Sequence, residues 1–317
     1  MSQYIGSNFP PSFRARRGYV LLVTLALLVL SSTLLVAAGQ AATRHALEAR
    51  LEQSQLQRRW GIISCRSAVL SSCEQILVSR EQQEGRAVAE YRTTVQLGDD
   101  RFTLIVADEQ AKANVNMMID QFGVQSAEDH ILAAMSGSGL LNDVRLRPSV
   151  FADDSPTPAG PPQLIDGPGQ VFDSVDPQAL INSRYGSSPP MQNLTCWGNG
   201  TLNILRAGQE SMRLSLTPAL TQLEIARLLA ARDRIMALSI TSNLGSTAAP
   251  AANRDAIGPL LAEAQIDAGK RNRLPLAGQS ACHSLWIIAA DPQREWYSLT
   301  VSEETGKGQP ILHSVVW

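Results

Sequence analysis

The fold of this chain depends first on a segment near its N-terminus: residues 16–38 read RRGYVLLVTLALLVLSSTLLVAA. No charged side chain occurs from Tyr19 to Ala38, and a helix over that stretch rises about 30 Å, which matches the hydrocarbon core of a bilayer. Thr and Ser are tolerated there because a hydroxyl can donate to a carbonyl one turn earlier. Arginines and no acidic residue precede the segment, so the sequence predicts one membrane span, with residues 1–18 cytoplasmic and the remainder exported.

Three interpretations of this segment compete. It can be a secretory signal removed near the small residues at positions 36–42, or an uncleaved signal anchor on an exported domain. The third interpretation comes from the junction, where a basic leader ends in Gly18, an aromatic residue follows at Tyr19, and the apolar helix continues without a break.

That junction resembles the processing site of type IV pilins and type II secretion pseudopilins. In these proteins a prepilin peptidase cuts after the glycine and leaves the apolar helix attached. The resemblance implies cleavage between Gly18 and Tyr19, methylation of the new N-terminus, and a single-pass inner-membrane protein with the bulk of the chain in the periplasm.

The fifth residue after this cleavage site is Val23. Most pilin-like proteins have Glu there, and its carboxylate pairs with the N-terminal amine of a neighbouring subunit, which offsets the cost of a charge in the bilayer. A hydrophobic fifth residue is typical of the large K-type minor pseudopilin of type II secretion. A subunit with Val at this position does not need that pairing, which suits the first subunit of a fibre.

Length and charge exclude some classes of protein. The chain has 317 residues, a length that leaves room for two exported lobes beyond the anchor. Its formal net charge is −2. No basic stripe follows the leader, so we expect no nucleic-acid partner.

Motifs for catalysis are missing from the sequence. There is no HExxH, GxSxG, P-loop or GxGxxG pattern, and the adjacent Cys282 and His283 would point apart on a strand. We therefore expect no catalytic residues and no enzymatic activity.

The four cysteines leave the disulfide pattern open. Cys65 and Cys73 should share one helix about 12 Å apart, which is too far for a bridge. In an oxidising compartment we favour a disulfide between Cys196 and Cys282. Four cysteines allow three connectivities, and the sequence does not select one.

Two kinds of periodicity follow the membrane segment. Apolar residues at helical spacing predict one long helix over residues 19–85, half in the membrane and half packed on a sheet. The alternative is a signal anchor followed by an unrelated coiled-coil stalk. In residues 86–110 apolar and polar residues alternate on both sides of Gly98-Asp99-Asp100, which predicts a β-hairpin.

A large helical insertion is indicated next. Residues 108–116, DEQAKANVN, are similar to the segment with which K-type pseudopilins enter their inserted helical domain, and TLNIL at 201–205 is a second motif of this kind. Each precedes a helix with a candidate cap: Ser126 with Asp129, and Thr221 with Glu224.

These motifs predict an inserted all-α domain over residues 111–275 with two similar halves. Strands in residues 276–317 should then return to the sheet. The resemblance thus implies an α+β, type IV pilin-like fold with a long N-terminal helix and an antiparallel sheet. One departure is that LLNDVR at 140–145 stands where the family has a Trp-Arg-Asp-type acidic run.

The sequence does not define the ligands of a metal site. K-type proteins can bind calcium in the helical lobe, and several aspartates crowd a Pro/Gly-rich stretch here: Asp153, Asp154, Asp166, Asp173 and Asp176. No EF-hand spacing is present, and we assign no ligands and require no cofactor.

The resemblance predicts a K-type minor pseudopilin that primes and caps the tip of the periplasmic pseudopilus for protein export. Its partners would be the minor pseudopilins of the I, J and H types, the major pseudopilin, the prepilin peptidase and the inner membrane. The alternatives are a type IV pilus minor pilin that primes pilus assembly or DNA uptake, and an unrelated membrane-anchored exported domain.

Overall fold

The structure is a computed structural model of the chain. It describes residues 14–135, 144–147, 165–173, 176–182, 188–217, 219–242, 257–290, 295–304 and 309–317. The chain divides into two compact units, with the boundary between Arg59 and Trp60.

A long helix begins the described chain. Helix α1 covers Arg14–Val69, a 3₁₀ turn covers Leu70–Ser72, and α2 covers Cys73–Glu84 before Gly85 ends it in the left-handed conformation. The predicted single helix over 19–85 is therefore interrupted at Leu70–Ser72. Ser72 leaves helical geometry at φ −115° and ψ 8°, in a Leu-Ser-Ser run of modest helix propensity.

The main sheet has five antiparallel strands in the order β1-β2-β7-β8-β9. Its strands are β1 Glu90–Leu97, β2 Asp100–Asp108, β7 Cys282–Ala289, β8 Trp296–Glu303 and β9 Ile311–Val316. The predicted hairpin is confirmed, since Leu97 opposes Asp100 and Gly98 adopts a positive φ of 62° in the loop. The α+β class, with a long helix and an antiparallel sheet, is also confirmed.

One face of the sheet packs against the helices. Cys65, Cys73 and Leu77 form a core with residues of the central strands, among them Phe102 and Leu285. Gly61 is required for this contact, because a Cβ at that position would lie 2.2 Å from Cζ of Phe102.

The other face packs against the segment inserted between β2 and β7. Strand β2 pairs directly with β7, and Asp108 opposes His283, although the insert separates them in sequence. Trp286 and Leu299 belong to a core shared with the first half of the insert, while the second half has a core of its own.

The insert is mostly helical. Its helices are α3 Val115–Phe122, α4 Val124–Ala134, α5 Pro177–Ile181, α6 Pro190–Asn193, α7 Gln209–Leu216, α8 Gln222–Ser242, α9 Ile257–Glu263 and α10 Ala268–Arg271. It also contains 3₁₀ turns at Glu109–Ala111 and Pro168–Gln170 and four two-residue strands: β3 Ala113–Asn114, β4 Leu194–Thr195, β5 Leu202–Asn203 and β6 Leu276–Ala277.

Parallel strand pairs correct the expectation of an all-α insert. Strand β3 pairs with β4, and β5 pairs with β6, so both Asn motifs begin in the same manner. In each motif the Asn carboxamide accepts from a backbone N–H further along: Asn114 from Met117 at 3.1 Å and Asn203 from Leu205 at 3.2 Å. The domain boundaries at 111 and 275 stay predictions.

One of the two candidate caps is present. Thr221 and Glu224 form a reciprocal capping box, in which the Glu224 N–H donates to the Thr221 hydroxyl and the Thr221 N–H donates to the Glu224 carboxylate. The Ser126 cap is wrong, because α4 already begins at Val124 after Gly123, whose φ is +77°. The Pro/Gly/Ser-rich stretch at 153–162 and the small polar stretch at 242–252 predict exposed loops. Residues 153–162, 243–252 and LLND at 140–143 lie outside the described residues, and Ser242 is the last residue of α8.

Candidate functional site

The apolar N-terminal segment can cross a membrane by its length and composition. Among the described residues one helix meets this criterion, and none of its apolar window is buried. Its hydroxyls donate to carbonyls three or four residues earlier, as predicted, at Thr24, Ser31, Ser32 and Thr33. Side-chain hydroxyls therefore need no external partner in the hydrocarbon core.

The predicted processing junction lies inside this helix. Gly18 and Tyr19 are both helical, and the Tyr19 and Val23 side chains are exposed. Cleavage after Gly18 and the role of Val23 stay predictions.

Exposed apolar side chains continue along α1 beyond the membrane segment. In the N-terminal unit these are Leu47, Leu51 and Leu56. In the C-terminal unit Trp60 is 65% exposed and Ile63, one turn later, is also exposed. Neighbouring apolar side chains that include a Trp are typical of protein-binding surfaces.

A buried ionic network joins the insert to the helix and the sheet. Its centre is Arg206, which is only 5% exposed and directly follows the second Asn motif. The guanidinium bonds to Glu74 through Nη1 and Nη2 at 2.6 and 3.0 Å, and to Glu81 through Nε and Nη2 at 2.8 and 3.1 Å. Nη1 also donates to Asp108 at 3.3 Å. All five N–H groups of Arg206 thus meet carboxylate oxygens on α2 and at the end of β2.

Further polar groups surround the same carboxylates. Asp108 is fully buried and accepts from the Asn203 carboxamide at 2.8 Å and from the Ser280 hydroxyl. His283 Nε2 lies 2.8 Å from Glu74 Oε2. The network therefore connects α2, β2, β7 and the second half of the insert.

The network changes the acidity of its members. Burial alone would raise the pKa of Glu74, but hydrogen bonds from His283 and Arg206 lower that pKa to about 2. Burial alone would lower the pKa of Arg206, yet its bonds to Glu81 and Glu74 raise that pKa above its usual range. Both groups thus stay charged at neutral pH, as a structural ion cluster requires.

A second buried ion pair lies beside the first. Lys112 donates to Glu109, and both side chains are buried. Glu109 also accepts from the Ser284 hydroxyl on β7 at 2.5 Å. The resemblance of the DEQAKANVN motif does not reveal this ion pair, although the Glu-Lys spacing of three residues is a usable signal for it.

The Asn-hydrophobic-Asn part of that motif organises the first half of the insert. The Asn114 carboxamide donates to the Trp197 carbonyl at 2.8 Å. Asn116 donates to the carbonyls of Ile165 and Cys196 and accepts from the Ile165 N–H. The two amides therefore hold three distant segments together through backbone groups.

The cysteines do not form disulfides in this structure. All four are free and buried, and Cys73 lies in α2 rather than sharing a helix with Cys65. Burial raises the pKa of the Cys196 and Cys282 thiols, which belong to the same hydrophobic core. Their pairing under oxidising conditions stays a prediction.

Arg227 and Arg232 of α8 are the basic side chains whose mutation would test the DNA-uptake alternative. Arg227 is exposed, but Arg232 is largely buried, where it donates to the Ala207 carbonyl and to Asp233 at 3.0 Å. Arg232 thus connects α8 to the segment that precedes α7.

Two of the aspartates considered for calcium have other roles among the described residues. Asp173 pairs with Arg147, and Asp176 caps α5 by accepting from the Gln178 N–H at 3.0 Å. Among the described residues no group of three or more His, Cys, Asp or Glu side chains is arranged to hold a metal ion. Asp153 and Asp154 lie outside the described residues.

Comparisons with known proteins give a structural likeness and no match at the level of sequence. No family model matches the sequence, and no curated protein matches it. Among solved structures, the chain is similar to a chain of the GspK-GspI-GspJ complex from the enterotoxigenic Escherichia coli Type 2 Secretion System. The two share 14% identity with a TM-score of 0.42, over 85% of this chain and 99% of that one.

Proposed function

We propose that this protein is a K-type minor pseudopilin of a type II secretion system, which primes and caps the tip of the periplasmic pseudopilus. The observation that carries the proposal is the combination of an apolar N-terminal helix, which follows a Gly-aromatic junction, with an antiparallel sheet into which a large helical segment is inserted. A subunit that joins a fibre needs only the helix and the sheet. The insert is therefore the part available for a role at the tip.

Assembly would begin at the exposed apolar residues of α1. Trp60 and Ile63 offer a partner subunit an apolar contact outside the membrane segment, and the minor pseudopilins of the I, J and H types and the major pseudopilin are the proposed partners. Val23 leaves no carboxylate to pair with the N-terminus of a preceding subunit, so this chain does not require a neighbour above it.

The inserted segment would prevent growth at the tip. It covers one face of the sheet with helices, and its attachment is reinforced by the buried bonds of Arg206. A lobe fixed in this way cannot move aside, so a further subunit would collide with it. Growth then proceeds only by addition of subunits from the membrane side.

The first experiment is mass spectrometry of the N-terminus of the mature protein in the membrane fraction. We expect a chain that begins at a methylated Tyr19, as a prepilin peptidase would produce. A start between Gly39 and Thr43 would identify a removed secretory signal, and a start at Met1 an unprocessed anchor. Either result would overturn the proposal.

Capping is tested by removing the insert. Because Asp108 and His283 are cross-strand neighbours, a two-residue Asn-Gly turn can replace residues 109–282 without changing the register of β2 and β7. Asp108→Asn in the same variant avoids an unpaired buried carboxylate. We expect fewer fibres or fibres of abnormal length, and normal number and length would contradict the capping role.

A further inference from the structure

Strand β9 forms one edge of the five-stranded sheet. In the part of the chain that the structure describes, it pairs with β8 on one side and ends the strand order on the other. An edge strand presents backbone N–H and C=O groups that a further strand can bond.

The register identifies which backbone groups face outward. The Trp317 N–H donates to the Tyr297 carbonyl at 3.0 Å, and Val316 opposes Ser298. Because bonding alternates along an antiparallel pair, Leu312, Ser314 and Val316 direct their N–H and C=O groups away from β8. These three residues are exposed.

The side chains of β9 do not protect this edge. The strand reads ILHSVV, with no Lys, Arg, Asp, Glu or Pro, and Ile311, Leu312 and Val316 are exposed. Natural proteins usually protect an edge with charges, proline or a covering segment. Val316 is 66% exposed, so most of its apolar surface is available to a partner.

The opposite edge of the same sheet is protected. Strand β1 contains Glu90 and Arg92, and Arg92 donates to the Ile181 carbonyl at 3.0 Å and to Asn182 at 3.2 Å. This part of the insert therefore lies against the start of β1, while the end of β1 is exposed. Among the described residues, therefore, the insert contacts the β1 edge of the sheet and no segment contacts the β9 edge.

We propose that β9 is a docking site for an extended strand of a neighbouring fibre subunit, which joins the sheet through backbone hydrogen bonds. This inference rests on the proposed function. The partner strand is uncharged at the positions that oppose Leu312 and Val316, because a charge there would lose water against apolar side chains. Six residues of β9 offer roughly 20 Å of pairing, enough to add specificity to the contact made by α1.

A second copy of this chain fits the edge less well. Two antiparallel β9 strands would be related by a two-fold axis normal to the sheet. That axis reverses the direction of the Trp60–Val69 part of α1, which packs on the sheet through Gly61. Subunits of one fibre share one helix direction, so antiparallel self-pairing does not suit them.

Photo-cross-linking of the full-length chain in secreting cells tests this site. Ser314 is replaced by p-benzoylphenylalanine, and cross-linked peptides are identified by mass spectrometry. We expect a product with a strand of another membrane-anchored subunit that has been cut by the same peptidase. Val316→Lys should reduce the yield about tenfold, whereas Thr94→Lys, at an exposed position of β1, should leave it unchanged.

The mature N-terminus measured in the same cells separates two kinds of failure. If the chain begins at Tyr19 but Ser314 gives no product, or cross-links only to a second copy of this chain, the β9 inference is overturned and the proposed function stands. If the chain does not begin at Tyr19, the proposed function fails. A Val316→Lys variant that cross-links as well as the parent also overturns the β9 inference.

Discussion

Replacement of Arg206 by Met should destabilise the unit that contains residues 60–317 more than any other single loss of charge in the described chain. The substitution keeps much of the side-chain volume but removes five N–H donors from Glu74, Glu81 and Asp108. Breaking a buried ion cluster by removing one partner costs about 3–5 kcal/mol, because the remaining charge stays buried.

The structure places the expected cost at the lower end of that range. Asp108 keeps hydrogen bonds from the Ala111 N–H, Asn203 and Ser280. Glu74 is 43% exposed and can be hydrated when the guanidinium is lost. We therefore expect a loss of about 3 kcal/mol in the free energy of unfolding. Arg206→Lys should lose about half as much, because an ammonium cannot make two bidentate contacts.

Urea denaturation of the full-length chain in detergent measures this loss. Trp fluorescence reports on the unit that contains residues 60–317, since all five tryptophans belong to it. The matched control is Arg213→Met, which removes a half-exposed pair with Glu210 within α7 and should cost about 0.5 kcal/mol. If the free energies of unfolding of the two Met variants differ by less than about 1 kcal/mol, the Arg206 network does not provide the expected stabilisation of this unit.

Three further predictions concern packing, pH and redox state. Gly61→Val should cost about 2 kcal/mol or more of unfolding free energy, because its Cβ would overlap the Phe102 ring, and urea denaturation measures the loss. Because the pKa of Glu74 is about 2 in the folded chain and 4.5 in its ordinary state, the stability that its carboxylate contributes is lost as the pH falls from about 4.5 to 2. In the Glu74→Gln variant, the free energy of unfolding should therefore change less with pH in that window. In periplasm with a functional thiol oxidant, non-reducing peptide mapping should find Cys196 joined to Cys282.

Each of these predictions has a control. Gly258→Ala introduces a Cβ with no atom within 4 Å and should leave stability nearly unchanged, while Phe102→Leu should partly rescue the Gly61 variant. Glu48 pairs with His45 on an exposed part of α1, and Glu48→Gln should not alter the acid denaturation of the 60–317 unit. Free thiols at both cysteines after oxidation would show that the disulfide prediction is wrong.

Local patterns were sufficient to predict most of the regular structure. The long apolar helix, the hairpin around Gly98-Asp99, the returning strands and the Thr221–Glu224 capping box each depend on residues that are neighbours in sequence. Such features can be read from periodicity and turn chemistry, because their energies arise within a few residues. Errors occurred where local signals compete, as at Ser126, which is a good cap in isolation but lies inside α4.

The contacts that join the insert to the sheet could not be predicted in this way. Arg206 reaches Glu74, which lies 132 residues earlier in the chain, and Asn203 reaches Asp108. No local pattern distinguishes these residues from solvated surface charges. Only the return of β7 beside β2 brings them together and excludes water from them.

Hydrophobic periodicity and turn chemistry thus indicate an apolar N-terminal helix and a β-hairpin, and the resemblance to K-type pseudopilins implies the inserted helical segment. For the described residues, the tertiary structure reveals which charges are buried and which edge of the sheet the insert contacts. These properties depend on the packing of segments that are far apart in the chain, and water exclusion at such contacts has no local sequence signal.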